Sequence, residues 1–410
     1  MEYFARQLRS FTSLAFGVSI ALPFPAINPD RLGFNTQLPA TCQARKTHFL
    51  AIGGGPEPEQ NEIAIEKNIL YFQRTLNALG FDPAKASTLF ANGNDGTATV
   101  RYLDPQGQQQ FKAPQIPNLK GASTMANLQN SLQNLDRNSK SIFFYFTGHG
   151  IPNDEDINNN AFLMWNKESL TVQGFANLLD KLPPDKSVVT VMSQCFSGSF
   201  ANFIYQSGDP ERPVTMQTRC GFFATVKTRP SVGCSPEVNE ADYQDYSSSF
   251  FAGLSGRNRL GKAVESADYN QDGRVSFAEA HAFAKVDEKS VDWPISTLEA
   301  WLQGKTDRIS QQTIFSRPLA DILPTARPEQ AYVVNSIAKK FGFSLQKSFL
   351  ANLQGLDTTK VNSEEDKAYV IRLGMELTNI GAEKQIRSSS DKEAIAILDK
   401  LIKCESGYWE

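Results

Sequence analysis

The stretch from Ser187 to Ser199, S-V-V-T-V-M-S-Q-C-F-S-G-S, decides the fold. Val188, Val189, Thr190 and Val191 are consecutive β-branched residues, a run that predicts a fully buried strand, and the small residues Ser197, Gly198 and Ser199 predict a tight turn after it. Cys195 therefore falls at the carboxyl end of a central strand. In open α/β sheets that edge is where ligands bind, so the remaining question is whether the chain supplies this thiol with a base.

Only three histidines exist: His48, His149 and His281. His149 follows a second apolar run, Ser141 to Thr147 (S-I-F-F-Y-F-T), too aromatic for a surface helix and therefore a buried strand. The separation, 195 − 149 = 46 residues, suits a crossover between neighbouring parallel strands. Glycine at 148 and 150 leaves the imidazole free to project over the sheet edge, and Gly150 lets its own N–H approach a substrate carbonyl. His48 begins a strand, and His281 is expected on a helix surface.

Outward from these two strands, Thr47 to Gly55 reads as a strand running into a glycine turn, Asn61 to Leu79 as a helix capped by Gly80, and Ala86 to Ala91 as a strand. Residues 92 to 121 read as an exposed loop with one short strand at Thr97 to Leu103. A helix at Ser123 to Leu135, a strand at Phe162 to Trp165, a helix at Val172 to Leu182, a strand at Gly221 to Val226 and a helix at Tyr246 to Leu254 follow. Alternating strands and helices imply a mainly parallel sheet covered on both faces. From Pro328 the pattern becomes amphipathic helices (Tyr332 to Phe341, Ser344 to Leu353, Glu364 to Ile380, Asp391 to Ile402), expected as a helical C-terminal domain at 328–410 with Arg308 to Arg327 as its linker.

Two blocks now carry a resemblance. Tyr145 to Gly150 (Y-F-T-G-H-G) and Ser193 to Ser199 (S-Q-C-F-S-G-S) resemble the His-Gly and Cys-x-Ser-Gly blocks of the legumain family of cysteine peptidases. The resemblance covers Lys46 to Trp301, within a peptidase-like domain expected at 46–307, and implies a caspase-like α/β fold in which Cys195 attacks a peptide carbonyl and His149 moves the protons. It also implies an oxyanion site made by the N–H groups of Cys195 and Gly150, with no third carboxylate required. Arg229-P-S-V-G-Cys234 is similar to the family's segment beside the specificity pocket, which points to Ser231, and Asp245 lies where relatives place a pocket carboxylate. The sequence departs from the asparagine-cleaving members at Ser193, where they carry an acid, and after the first strand, where G-G-G-P-E-P-E replaces an Arg-His pair.

Downstream, Asp268 to Glu279 (D-Y-N-Q-D-G-R-V-S-F-A-E) matches a calcium-binding EF-hand loop. Oxygen donors fall at Asp268, Asn270, Asp272 and Ser276, the carbonyl of Arg274 is available, and Glu279 can close the shell. Leu260 to Ser266 is expected as the incoming helix and Ala278 to Val286 as the outgoing one.

The formal net charge of −3 gives no basic footprint for nucleic acid, and 40% hydrophobic content over 410 residues allows a large core. Arg6 and Arg9 ahead of the apolar stretch Phe11 to Ala26 resemble a signal peptide over 1–26, followed by a linker at 27–45. Export is expected, against the plainer reading of a surface-packed N-terminus, and after signal removal no segment is long enough to span a membrane. Of the five cysteines, Cys195 set aside, Cys42, Cys220, Cys234 and Cys404 form an even set compatible with an oxidising compartment, Cys220 and Cys234 being the nearest pair in sequence; all could equally be buried thiols. The expected function is a calcium-binding cysteine endopeptidase acting on a peptide or protein. A transpeptidase using the same dyad and a catalytically silent calcium-binding scaffold are the alternatives.

Overall fold

The computed structural model describes residues 47–136, 138–357 and 361–410; the expected signal segment, its linker and Cys42 lie outside the described residues. In chain order the elements are β1 (Thr47–Gly54), α1 (Ile63–Ala78), β2 (Ser87–Phe90), β3 (Val100–Leu103), β4 (Gln109–Lys112), α2 (Met125–Gln133), β5 (Ser141–Gly148), β6 (Gly150–Ile151), β7 (Ala161–Met164), β8 (Glu168–Thr171), α3 (Val172–Leu179), β9 (Ser187–Met192), β10 (Arg219–Phe223), α4 (Tyr246–Ser255), α5 (Phe277–Asp287), β11 (Ile295–Ser296) and α6 (Thr297–Gly304). The helices α7 (Arg308–Phe315), α8 (Leu319–Ile322), α9 (Pro328–Phe341), α10 (Phe349–Gln354), α11 (Glu364–Arg387) and α12 (Lys392–Glu405) complete it.

The main sheet runs β11-β10-β9-β5-β1-β2, parallel throughout except for β11. β5 pairs with β9 from Ser141 opposite Ser187 to Phe146 opposite Met192, so the two strands end side by side. Their unbroken apolar character has a packing cause. Phe143 and Tyr145 enter one core layer with Phe72, Phe251 and Trp409, whereas Ile142, Phe144 and Phe146 enter the other with Phe162, Phe175 and Phe200. Both faces of the strand are covered, which is what a parallel sheet demands. This is a mixed α/β fold with a mainly parallel central sheet and a helical C-terminal region.

The C-terminal helices join the core of the sheet. Val370, Leu373 and Leu377 of α11 and Leu398 and Leu401 of α12 belong to the same buried cluster as Phe146 and Met192. Beyond α12, Trp409 packs edge-on against Phe49 and Phe143 at 4.9 Å, and the Thr47 N–H donates to the Glu410 carbonyl at 3.1 Å.

Several expectations are corrected. Cys220 bonds to Cys404, not to Cys234: Cys220 is buried on β10 beneath α12, whereas Cys234 is a free thiol in an exposed loop. Residues 308–327 are not a plain linker, because Asp307 caps α7 and Ile314, Phe315, Leu319 and Ile322 are buried. Leu260 to Ser266 is not helical, since the Asn258 side chain accepts from the N–H groups of Leu260 (3.1 Å) and Lys262 (3.0 Å) and folds the segment into a turn. Asn352 likewise hydrogen-bonds Ser344 and Ser348, delaying α10 to Phe349. His281 is buried, held between the Tyr246 hydroxyl (2.7 Å) and Glu299 (3.0 Å). Residues 92–121 contain a β3–β4 hairpin rather than one strand. No described helix is long and apolar enough to cross a membrane.

Candidate active site

β9 stops at Met192 because the chain must turn. Ser193 donates through both its N–H (3.1 Å) and its hydroxyl (3.2 Å) to the Phe146 carbonyl of β5, and Phe196 then takes a left-handed conformation (φ 58°) that opens a 3₁₀ turn over Ser197–Ile204. Ser193 is thus buried structural bracing at the strand end. Cys195, between these two points, is half-buried at the sheet edge.

The Cys195 thiol lies against the backbone of Ser231. Sγ accepts the Ser231 N–H at 3.3 Å and lies 3.5 Å from its carbonyl. Burial pushes the thiol up from its ordinary range, the Ser231 N–H opposes that, and the His149 charge opposes it further. Ser231 is itself held by Asp292, which accepts from the Val232 N–H (3.1 Å) and the Ser231 hydroxyl. Arg372 of α11, fully buried, fixes the segment that carries Asp292. It donates to the carbonyls of Asp292 (3.0 Å), Ser290 (3.1 Å), Glu288 (2.8 Å) and Lys285 (3.1 Å).

His149 sits in the turn between β5 and β6. Its flanking glycines answer to close backbone approaches: a Cβ on Gly148 would lie 2.7 Å from the Gly54 carbonyl oxygen, and one on Gly150 only 2.1 Å from that of Cys195. The imidazole Nε2 is 2.9 Å from the Gln60 carbonyl and 2.9 Å from Glu62 Oε2, both in the segment that leads from β1 into α1. Glu62 Oε1 is in turn paired with Arg101 at 2.7 Å. Burial works against the imidazolium, but the neighbouring Cys234 and Glu62, through hydrogen bonding and charge, outweigh it and push His149 up to about 11. Burial also opposes the Glu62 carboxylate, and His149 and Arg101 together hold it below its usual range.

The fold brings Cys195, His149, Gly150 and Ser231 to one edge of the sheet. The charge of His149 favours the Cys195 thiolate, while the sulfur that lies within 4.8 Å of a His149 ring nitrogen is that of Cys234, itself 3.5 Å from the Gly148 carbonyl. Asp245 is placed differently. It is buried as the cap of α4 and accepts from Asn68 (2.9 Å), the Ser247 hydroxyl (2.9 Å) and the Ser248 N–H (2.9 Å), beneath the loop that carries Gly233. Beside the site a cleft of about 810 Å³ is lined by Gly198, Lys227, Arg229, Trp293 and Trp301, with the Arg229 guanidinium 4.1 Å over the Trp293 ring.

Glu62, Asp292 and Arg372 are not singled out by the sequence, and Cys234 is marked there only as the end of the Arg229–Cys234 segment and a disulfide candidate. Glu62 shares the run 57–62 with Glu57 and Glu59, and only the sheet-edge position of that run could have flagged it. Asp292 and Arg372 carry no local signal.

In the loop 268–279, Asp268 accepts from the N–H groups of Asp272 (3.0 Å) and Gly273 (2.9 Å), Asn270 from Asp272 (2.9 Å), and Asp272 from Arg274 (2.9 Å). Glu279 receives the N–H groups of Tyr269 (2.9 Å), Asn270 (3.1 Å) and Ser276 (2.8 Å) and caps α5 with Ser276. Among the described residues the acidic, thiol and imidazole groups that converge within 4.8 Å are elsewhere, at Glu62, His149 and Cys234.

No family model matches the chain, and no curated protein matches it. Among solved structures, caspase-1 from Spodoptera frugiperda is similar at 11% identity and TM-score 0.35, over 63% of this chain and 92% of that one. A structural-genomics target protein from Geobacter sulfurreducens is similar at 13% identity and TM-score 0.29, over 46% of this chain and 76% of that one. At such scores neither likeness bears on the chemistry.

Glu62→Gln is expected to keep the fold and remove a charge that stabilises the imidazolium. His149 then loses its proton at lower pH than in the wild type, by one unit or more on the scale of about 1–3 units for a close opposite charge. Histidine side-chain NMR titration checks this, and an unchanged midpoint contradicts the role given to Glu62.

Proposed function

We propose that the chain is a cysteine endopeptidase in which Cys195 is the nucleophile and His149 the proton carrier. The observation that carries the reading is the placement of these two side chains at the carboxyl ends of the adjacent parallel strands β9 and β5, the imidazole oriented by Glu62 and the thiol met by a backbone N–H. The resemblance of the two sequence blocks to the legumain family supports the same assignment.

In this reading the Cys195 thiol proton is lost to solvent, and the thiolate, paired with the protonated His149, attacks the peptide carbonyl carbon while the carbonyl electrons move to oxygen. The N–H groups of Cys195 and Gly150 receive that oxyanion, a contribution on the order of 3 kcal/mol per fixed donor. The C–N bond breaks as His149, held protonated by its carboxylate partner, gives its proton to the leaving amine. Neutral imidazole then takes a proton from water, hydroxide attacks the thioester, and the C–S bond breaks to return the thiolate and the protonated imidazole. The cleft along Arg229 and Trp293 runs beside the nucleophile turn, since the Phe196 N–H donates to the Arg229 carbonyl at 2.8 Å, and would take the extended peptide. Ser231 lies at the reacting sulfur, so the side chain before the cleaved bond passes this loop; Asp245 would act from beneath it. Export fits the disulfide between Cys220 and Cys404.

The loop 268–279 is read as a calcium site held by Asp268, Asn270, Asp272, the Arg274 carbonyl, Ser276 and Glu279, with the metal bracing the start of α5. Its donor set, all oxygen with three carboxylates, suits a hard cation.

Two measurements follow. Fluorogenic peptides bearing Asn, Asp, Arg or Lys before the cleaved bond, assayed with reductant, added calcium and a zinc-selective chelator, should be hydrolysed by the wild type and at least 10³-fold more slowly by Cys195→Ala, the scale on which loss of a nucleophile acts; equal inertness of both contradicts the enzyme reading, and product diverted to an added amine identifies transpeptidation. Calcium at tenfold its Kd should add about 1.4 kcal/mol of stability, a rise of about 2 °C in Tm over chelator-treated protein; an unmoved Tm contradicts the calcium site.

A further inference from the structure

Cys234 has no part in the chemistry above, yet it is placed beside its base. One ring nitrogen of His149, one carboxylate oxygen of Glu62 and Sγ of Cys234 lie within 4.8 Å of one another. Zn²⁺ bound tetrahedrally at its usual bond lengths sets neighbouring donors about 3.5 Å apart, so donors within 4.8 Å of one another need to close by about 1.3 Å at most. The chemistry of the set is selective: thiolate with imidazole and one carboxylate suits a borderline metal and disfavours Ca²⁺ or Mg²⁺.

The surroundings are those of a supported site. Arg101 holds Glu62 Oε1 and so presents Oε2 toward the imidazole, the arrangement in which an outer partner orients a metal-binding carboxylate. Glu62 is anchored and almost wholly enclosed, with 6% of its side chain exposed, whereas His149 retains 23% and Cys234 is exposed, so a metal ion reaches the cluster from solvent. Cys195 is directed away, its sulfur held on the Ser231 backbone.

We propose that Glu62, His149 and Cys234 form a Zn²⁺ site that silences the enzyme. Binding replaces the Cys234 thiol proton and the proton shared between His149 and Glu62, both released to solvent, and forms Zn–S, Zn–N and Zn–O bonds, with water in the fourth position. A His149 ring bound to the metal is no longer an imidazolium and cannot give the leaving amine its proton. The binding stands apart from the peptidase reading, whereas the silencing rests on it.

The test uses the full chain, reduced and stripped of metal, titrated with Co²⁺ and then Zn²⁺. The expected result is one equivalent of Co²⁺ with thiolate-to-metal charge-transfer absorption and tetrahedral visible bands, bleached by Zn²⁺. Both signals should persist in Cys195→Ala and vanish in Cys234→Ser, a substitution in an exposed loop whose folding is checked by circular dichroism. Absence of the bands in the wild type, or their loss in Cys195→Ala with retention in Cys234→Ser, overturns the site. Peptide hydrolysis is then measured with zinc and with a zinc-selective chelator. The ratio of the two rates should fall at least tenfold below one in the wild type and return to one in Cys234→Ser, whatever that variant's absolute rate. Metal bound with no change in rate overturns the silencing alone, and no hydrolysis under any condition while the bands are present refutes the peptidase reading and leaves the metal site established.

Discussion

The site depends on one close approach: the turn carrying His149 lies against the turn carrying Cys195, so tightly that residue 150 has no room for a Cβ beside the Cys195 carbonyl. Two strands that are buried on both faces and paired up to Phe146 and Met192 deliver the turns to this point. Since β5 and β9 have no freedom to slide without moving the rings in both core layers, the separation of His149 and Cys195 is set by the sheet. The loops then need to place side chains over only a few ångströms.

Support for those loops comes from far along the chain. Arg372 of α11 spans the carbonyls of residues 285 to 292, Asp292 grips Ser231 and Val232, and Ser231 meets the sulfur of Cys195. A guanidinium without solvent exposure is costly unless its donors are satisfied, and here four carbonyls satisfy them. A second buried network ties the same helices together: Lys285 pairs with Glu299 and Glu376, and Glu299 also binds His281. Through these contacts the C-terminal helices act as the back wall of the site.

What was legible in the sequence follows from what is local. The runs at Ser141 to Thr147 and Ser187 to Val191 announce buried strands because both faces must be apolar, and the glycine-flanked His149 and the small residues after Cys195 mark sharp turns at strand ends. Capping and turn chemistry within a few residues also reads well, as at Gly80. Partnerships that only the fold creates were not legible. Cys220 looks 14 residues ahead to Cys234 in sequence but meets Cys404, 184 residues away, because β10 and α12 pack together. His281 is polar on an alanine-rich helix and looks exposed until Glu299 and Tyr246 enclose it. The pairing of Cys234 and Glu62 with His149 joins a loop, a helix entrance and a strand end that nothing in the sequence links.

The central claim is that Cys195, and not the thiol nearer to the imidazole, is the nucleophile. A peptidyl electrophile that alkylates a cysteine nucleophile, supplied at one equivalent to reduced, metal-free protein and located by peptide mass mapping, tests it most directly. The account predicts a single adduct on Cys195, absent in Cys195→Ala and strongly slowed in His149→Ala. An adduct on Cys234 with Cys195 unmodified would contradict it.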